Sequence, residues 1–321
     1  MREPFLISLA ASVVLGFVLI PVLRRLRFRQ TVRQDGPKSH LYKTGITTMG
    51  GFIFIIPIIA ISLVFTSDIK RIGVIMIAVA AFALIGFADD LLKILRKSND
   101  GLSVLQKTLL LLVCSAAYSV YFVLFTKSGG EMLIPFSGMR ESVIISPYAY
   151  IPFLVLFLYS VTNSVNLTDG VDGLAGSVTG IIMLFFFVVA KNGPDIFSDS
   201  RLITLCAIGA ILGFLLFNAH PARVFMGDTG SMALGGLVGV LAIEMKIPWI
   251  LLIAGFVYVA ESLSSIIQVT HYKRTKRRIF KMAPIHHHFE MSGWGEQKVV
   301  LIFGLSTVAA CTVAYWILGL F

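Results

Sequence analysis

The chain has 321 residues, 57% of them hydrophobic and only 14% charged, with a mean hydropathy of +0.88, where an ordinary soluble protein carries about 25% charged residues. This apolar excess is more than one water-soluble core can bury, which excludes a disordered chain, a collagen, a coiled coil and a secreted disulfide scaffold and leaves a membrane protein. A formal charge of +10 raises nucleic acid as a partner, and the placement of the charges answers against it.

In chain order, ten apolar stretches run over 5–23, 48–66, 72–88, 108–126, 147–165, 171–190, 201–217, 230–246, 248–270 and 299–320. Each is close to the length a helix needs to cross a hydrocarbon core about 30 Å thick. They predict an all-α polytopic integral membrane protein with about ten transmembrane helices. No repeat or linker divides it, so 1–321 reads as a single transmembrane catalytic domain. The first stretch is expected to be retained, because Arg24, Arg25, Arg27 and Arg29 follow the apolar run instead of preceding it. With residue 1 outside, the loops 24–47, 89–107, 166–170, 218–229 and 271–298 fall inside and hold 19 of the 27 Lys and Arg residues. That bias is the positive-inside rule, and it places both termini outside the cytoplasm. The basic excess is thus a topology signal and a match for anionic membrane lipid, with no nucleic acid implied. The inside loops also hold all six histidines. The longest outside loop, 127–146, has Gly129, Gly130, Pro135 and Gly138, enough for a small hairpin. The three cysteines, all in apolar stretches, read as buried small hydrophobes.

Four constellations lie where spans meet the inside loops. The first, Gly86-Phe87-Ala88-Asp89-Asp90-Leu91-Leu92-Lys93, sets two adjacent carboxylates at a span end, where they repel each other and oppose the helix dipole. That arrangement suits a cation, phosphate or proton site better than a solvated helix end. The second, Asn163 to Leu174, links two spans through a tight turn. Asp169 is placed to cap the following helix, and Asp169 and Asp172 are expected on one face of its first turn. Capping accounts for one aspartate, not for two together with Asn163 and Asn166. In the third, Phe217 to Ser231, glycines flank Asp228-Thr229. Thr229 and Ser231 are candidate caps for a helix whose free N–H groups favour a phosphate, and Asp228 offers hard oxygens to Mg²⁺. The fourth, Ala283-Pro284-Ile285-His286-His287-His288-Phe289-Glu290, places three imidazoles in a basic loop. Consecutive histidines fit one tetrahedral metal poorly, and donors to an anionic substrate fit better.

These motifs, together with Lys43-Thr44-Gly45-Ile46-Thr47-Thr48-Met49-Gly50-Gly51, resemble the phospho-N-acetylmuramoyl-pentapeptide transferases. That family belongs to a superfamily that moves N-acetylhexosamine 1-phosphates from UDP-sugars to polyprenyl phosphates. The acidic motifs belong to the whole superfamily, and the triple-histidine loop marks this branch. Ile46-Thr47 departs from the Thr-Pro expected there, which changes loop stiffness and no catalytic group.

The resemblance implies Mg²⁺-dependent transfer from UDP-N-acetylmuramoyl-pentapeptide to undecaprenyl phosphate at the cytoplasmic face of a bacterial plasma membrane, by a homodimer. It implies Asp228 as the metal ligand, and Asp89 as a base for the lipid phosphate with Asp90 beside it. Asn166, Asp169, Asp172, Asn218 and Phe225 would hold the nucleotide, with Lys43, Thr48, Lys107 and Gln268 also on the substrate. His286, taken as catalytic, His287 and His288 would contact the pyrophosphate and the sugar-peptide. A phosphate monoester is mostly dianionic at neutral pH, so Asp89 is better read as orienting Lys93, Lys107 or the metal; a covalent aspartyl route stays open. Two alternatives are a sibling enzyme using UDP-N-acetylglucosamine and a transporter working through Glu244 and Glu261. The transporter calls for ionisable groups at span centres, whereas here they cluster at span ends. Finally, Glu261 in 248–270 is costly against lipid, which predicts a bend near 258–265 that turns it toward protein.

Overall fold

The computed structural model describes residues 2–26, 28, 45–98, 100–126 and 129–320. Twelve helices account for most of them: α1 (Arg2–Arg25), α2 (Phe52–Phe65), α3 (Ile69–Arg96), α4 (Val104–Phe125), α5 (Pro147–Thr168), α6 (Leu174–Asn192), α7 (Ser198–Asn218), α8 (Gly227–Glu244), α9 (Leu251–Ala254), α10 (Phe256–Thr275), α11 (Ile285–Glu290) and α12 (Glu296–Ile317). The expected hairpin is present as antiparallel strands β1 (Glu131–Leu133) and β2 (Ser142–Ile144). Helix ends follow local chemistry. Asp68 Oδ1 accepts from Arg71 N at 3.0 Å to start α3, and Ser103 with Gln106 forms a reciprocal capping box at α4.

Every expected span coincides with a helix, but not every one of those helices is apolar and long enough to be a span by itself. Seven are, and the bent pair Pro248–Ala254 and Phe256–Thr275 makes an eighth. The fourteen residues of α2 reach only about 21 Å at 1.5 Å per residue. The other exception is α8, and its position explains its composition. All residues from Thr229 to Glu244 are buried, so α8 faces neighbouring helices and not lipid. A Cβ on Gly235 would lie 2.6 Å from Thr162 Cα of α5, the close approach that small residues permit between membrane helices. Elsewhere short polar side chains do the joining: Ser8 and Ser12 of α1 donate to the Cys206 and Ala210 carbonyls of α7 at 2.7 and 2.8 Å.

The bend exists but lies earlier than expected. The chain turns by 80° between α9 and α10, at Gly255, a weak helix former. The serines expected at the break leave α10 intact, because Ser264 and Ser265 bond back to the Glu261 carbonyl at 2.9 and 3.0 Å. Glu261 does face protein, with no exposed surface.

Candidate active site

The site forms where α3, α4 and α5 converge on the first turn of α8, with Asp228 at the centre. Lys93 of α3 and Lys107 of α4 each place Nζ 3.0 Å from Asp228 Oδ2. Asn166 of α5 donates to Oδ1 at 2.9 Å and to Ser231 Oγ at 2.8 Å, while its own oxygen accepts from Lys107 at 3.3 Å. Close packing brings these elements in: a Cβ on Gly86 would lie 2.0 Å from the Asp228 carbonyl oxygen. Burial opposes ionisation of Asp228, but the charge of Lys107, a hydrogen bond shared with Asp89, the charge of Lys93 and the Asn166 amide together hold its carboxyl well below the usual range.

Asp89 and Asp90 sit inside α3, which runs on to Arg96, and not at a helix end as expected. Adjacent in sequence, they do different work. Asp90 crosses to α8, where Oδ1 accepts from Asp228 N at 3.1 Å and Oδ2 from Thr229 N and Oγ1 at 2.9 and 2.7 Å. It is therefore the N-terminal cap of α8, supplied by another helix. This corrects two expectations. Neither Thr229 nor Ser231 caps α8, and the first N–H groups of that helix are taken by a carboxylate and not left for a phosphate. Asp89 accepts from Leu102 N at 2.8 Å and pairs with Lys93 at 2.5 Å. Oxygens of Asp89, Asp90 and Asp228 all lie within 4.8 Å of one another, a donor set of the hard type Mg²⁺ prefers. Both Asp90 oxygens are spent on the α8 backbone and Thr229, whereas Asp228 and Asp89 each have an oxygen paired with a lysine ammonium, a contact a metal ion can replace.

The α5–α6 turn also departs from expectation. Asp169 ends α5, its N–H 3.3 Å from the Asn166 carbonyl, and does not start α6; Gly173, at φ +78°, precedes α6. The two aspartates therefore share no helical turn. Asp172 Oδ2 accepts from Ala222 N at 3.0 Å, and His220 Nδ1 lies 3.4 Å from it and 3.6 Å from Glu296 Oε2. Asp172, His220 and Glu296 form a second grouping of metal-ligand type. Glu296 carries no motif in the sequence, and only folding brings α12 to this turn. Asn218 is buried and bonded at both ends, to Gly173 N at 3.1 Å and the Val224 carbonyl at 2.9 Å, so it ties two loops together. Phe225 is half-buried, and its N–H donates to the Thr47 carbonyl at 2.8 Å. Thr48 is buried alongside, its N–H donating to the Phe28 carbonyl. Lys43 lies outside the described residues.

The histidine loop is built on α10 and α11. His286 is fully buried, with Nδ1 3.0 Å from Glu261 Oε2. His287 Nδ1 lies 2.7 Å from Glu290, and His288 Nδ1 accepts from Lys281 N at 3.1 Å. Gln268 behaves like a strand edge: its oxygen accepts from Ile279 N and Phe280 N, both at 3.0 Å, and its amide donates to the Phe280 carbonyl at 3.1 Å. It shapes the loop ahead of the histidines.

The glycosyl transferase family 4 model matches residues 72–246, the segment from α3 through α8 that carries the Asp228 site. Among relatives, a phospho-N-acetylmuramoyl-pentapeptide-transferase of Acetivibrio thermocellus is 49% identical, covering 98% of this chain and 94% of its own length. Proteins of the same name from Clostridium botulinum and Clostridium acetobutylicum are 46% and 44% identical, each covering 97% of this chain and 94% and 96% of their own lengths.

Proposed function

The chain belongs to the phospho-N-acetylmuramoyl-pentapeptide transferases of glycosyl transferase family 4, and from that premise we propose the reaction carried out at Asp228. The enzyme transfers phospho-N-acetylmuramoyl-pentapeptide from UDP-N-acetylmuramoyl-pentapeptide to undecaprenyl phosphate. An oxygen of the lipid phosphate bonds to the phosphorus that carries the sugar, the bond to the uridylate oxygen breaks, and UMP leaves. The product is the lipid-linked muramoyl-pentapeptide pyrophosphate.

Bringing these phosphates together is mainly a problem of positioning and charge. The observation that carries the reading is the convergence of Lys93, Lys107 and Asn166 on the Asp228 carboxylate. The two lysines are the cations available to phosphate oxygens, while Asp228 holds both ammonium groups in place and Asn166 also holds that of Lys107. When bound, Mg²⁺ held by Asp228 and Asp89 supplies further neutralisation of phosphate charge. Asp89 acts as an orienting group: its oxygens already serve Leu102 N and Lys93, and a dianionic lipid phosphate needs no base. Asn166, Asp169, Asp172 and Phe225 serve the nucleotide, with Asn218 and Gln268 shaping the loops around it and His287 and His288 toward the sugar-peptide. Lys43 and Thr48 complete the donor side.

The helices make this a multi-pass membrane protein. The Lys and Arg bias of the site-bearing loops supports a cytoplasmic active site in a bacterial plasma membrane, and the family resemblance supports a homodimer. The test is product formation by the purified full chain with undecaprenyl phosphate and Mg²⁺. UDP-N-acetylmuramoyl-pentapeptide is expected to give UMP and a lipid-linked product, and UDP-N-acetylglucosamine to give neither; the reverse preference refutes the assignment.

A further inference from the structure

Three residues near the start of α10 make polar links to the helices that carry the α5–α6 turn or to the histidine loop. Tyr258 hydroxyl meets Thr179 Oγ1 of α6 at 2.7 Å, and Ser262 Oγ meets Ser164 Oγ of α5 at 2.6 Å. Between them in sequence, Glu261 reaches His286 of α11 at 3.0 Å. Neither Glu261 nor His286 has any exposed surface. The other imidazole nitrogen, Nε2, is buried with no hydrogen-bond partner among the described residues. Its direction is fixed by contact: a Cβ on Gly170 would lie 2.1 Å from Nε2 and 2.7 Å from Cε1. The ring edge is thus seated on the backbone between Asp169 and Val171, in the turn that leads to Asp172.

We propose that Glu261 is a positioning residue for the transfer reaction, acting through His286: its carboxylate keeps a proton on Nδ1 and turns Nε2 onto the α5–α6 turn at Gly170. A carboxylate on one imidazole nitrogen determines which nitrogen remains for other work, as in other histidine sites oriented by an acid. Here that remaining nitrogen presses on the segment from which Asp169 and Asp172 project. The pair locks the loop that holds the nucleotide to the bent helix α10, and glycine is required at 170 because the imidazole occupies the space of a side chain. This rests on the reaction proposed above and adds Glu261 and Gly170 to its machinery.

The test is a double-mutant cycle on the purified full chain, reading kcat/KM for UMP release from UDP-N-acetylmuramoyl-pentapeptide. Glu261→Leu, which removes the acceptor, is expected to lower it by about 10²-fold, the scale of a misplaced group. Glu261→Gln, which still offers Nδ1 an oxygen, is expected to recover to within about 10-fold of wild type. Glu261→Leu combined with His286→Asn should lose no more than His286→Asn alone, because the two act as one unit. Gly170→Ala should reproduce the Glu261→Leu loss. Additive losses in the cycle, or Glu261→Gln as poor as Glu261→Leu, overturn the proposal. Should Glu261→Leu melt below the assay temperature, Glu261→Met, which fills the space without offering an acceptor, replaces it in the cycle and additivity decides in the same way. An inactive wild type refutes the proposed reaction, whereas an active wild type with additive variants refutes only the role of Glu261.

Discussion

Helices α3 and α8 run past each other and carry an ionic cluster at each end, and the two clusters are built to different ends. At one end Arg71 donates to Glu244 Oε2 through Nε at 3.3 Å and Nη2 at 2.8 Å, and Tyr118 hydroxyl donates to Oε1 at 2.7 Å. Asp199 lies 3.6 Å from the same guanidinium. Both oxygens of Glu244 are used by rigid, planar or aromatic donors, and the cluster is closed. At the other end three carboxylates gather with two lysines, whose side chains are about as exposed as that of Arg71. Lysine ends are mobile point charges, unlike the guanidinium fork, and they are free to follow a phosphate. The closed cluster fastens two helices. The open one holds its carboxylates with mobile cations instead of a planar fork, and that difference marks the chemistry.

Four substitutions sharpen the contrast, taken from the largest expected loss of activity downward. Asp228→Asn keeps shape and hydrogen bonding but removes the charge on which Lys93 and Lys107 converge, so UMP release should fall by at least about 10²-fold. Near-normal turnover in a folded variant sinks the assignment. Asp90→Ala strips the cap from α8 and leaves Asp228 N and Thr229 without their acceptor. It should cost roughly 2 kcal/mol of stability and about 10-fold or more in rate, read by thermal melting and UMP release on the same sample. An unchanged melting curve would rule out the capping role. Asp89→Asn should lower the rate by about 10-fold, with a defect that stays flat between about pH 6.5 and 9, because the lipid phosphate is already ionised there. Recovery toward wild type as pH rises would restore Asp89 as a base. Glu244→Gln should leave the rate within about 3-fold of wild type while lowering the melting temperature, since it deprives the partly buried Arg71 guanidinium of its main carboxylate; a large loss of rate with an unchanged melting curve would make the closed cluster functional.

Much of this contrast was legible in the sequence, and the illegible part has a common cause. Apolar runs located the helices because burial in lipid demands continuous hydrophobicity, and the acidic and histidine motifs stood out because charge at span ends is costly unless used. The direction of Glu261 followed from the same cost. The cap that Asp90 gives α8 could not be read, since its partners are 138 and 139 positions away and a local rule assigns the cap to Thr229 or Ser231. Asn218 and Gln268 look like ligand-binding amides in sequence, and only folding shows their ends spent on backbone. The ambiguity of α8 as a span has the same origin: its glycines lower its hydropathy because they pack against α3 and α5. In each case the deciding contact joins residues that no local rule pairs, from Asn218 and Val224, 6 positions apart, to Asp90 and Thr229, 139 apart.

The most direct test reads activity and melting temperature together for Asp228→Asn and Glu244→Gln, prepared side by side as full chains. The account predicts different outcomes: Asp228→Asn loses UMP release even when assayed well below its melting temperature, which falls because two lysines lose their shared carboxylate, while Glu244→Gln keeps UMP release and melts lower. Both properties falling together in both variants, or turnover surviving in Asp228→Asn, would contradict the claim that the open end of the α3–α8 pair is where transfer occurs.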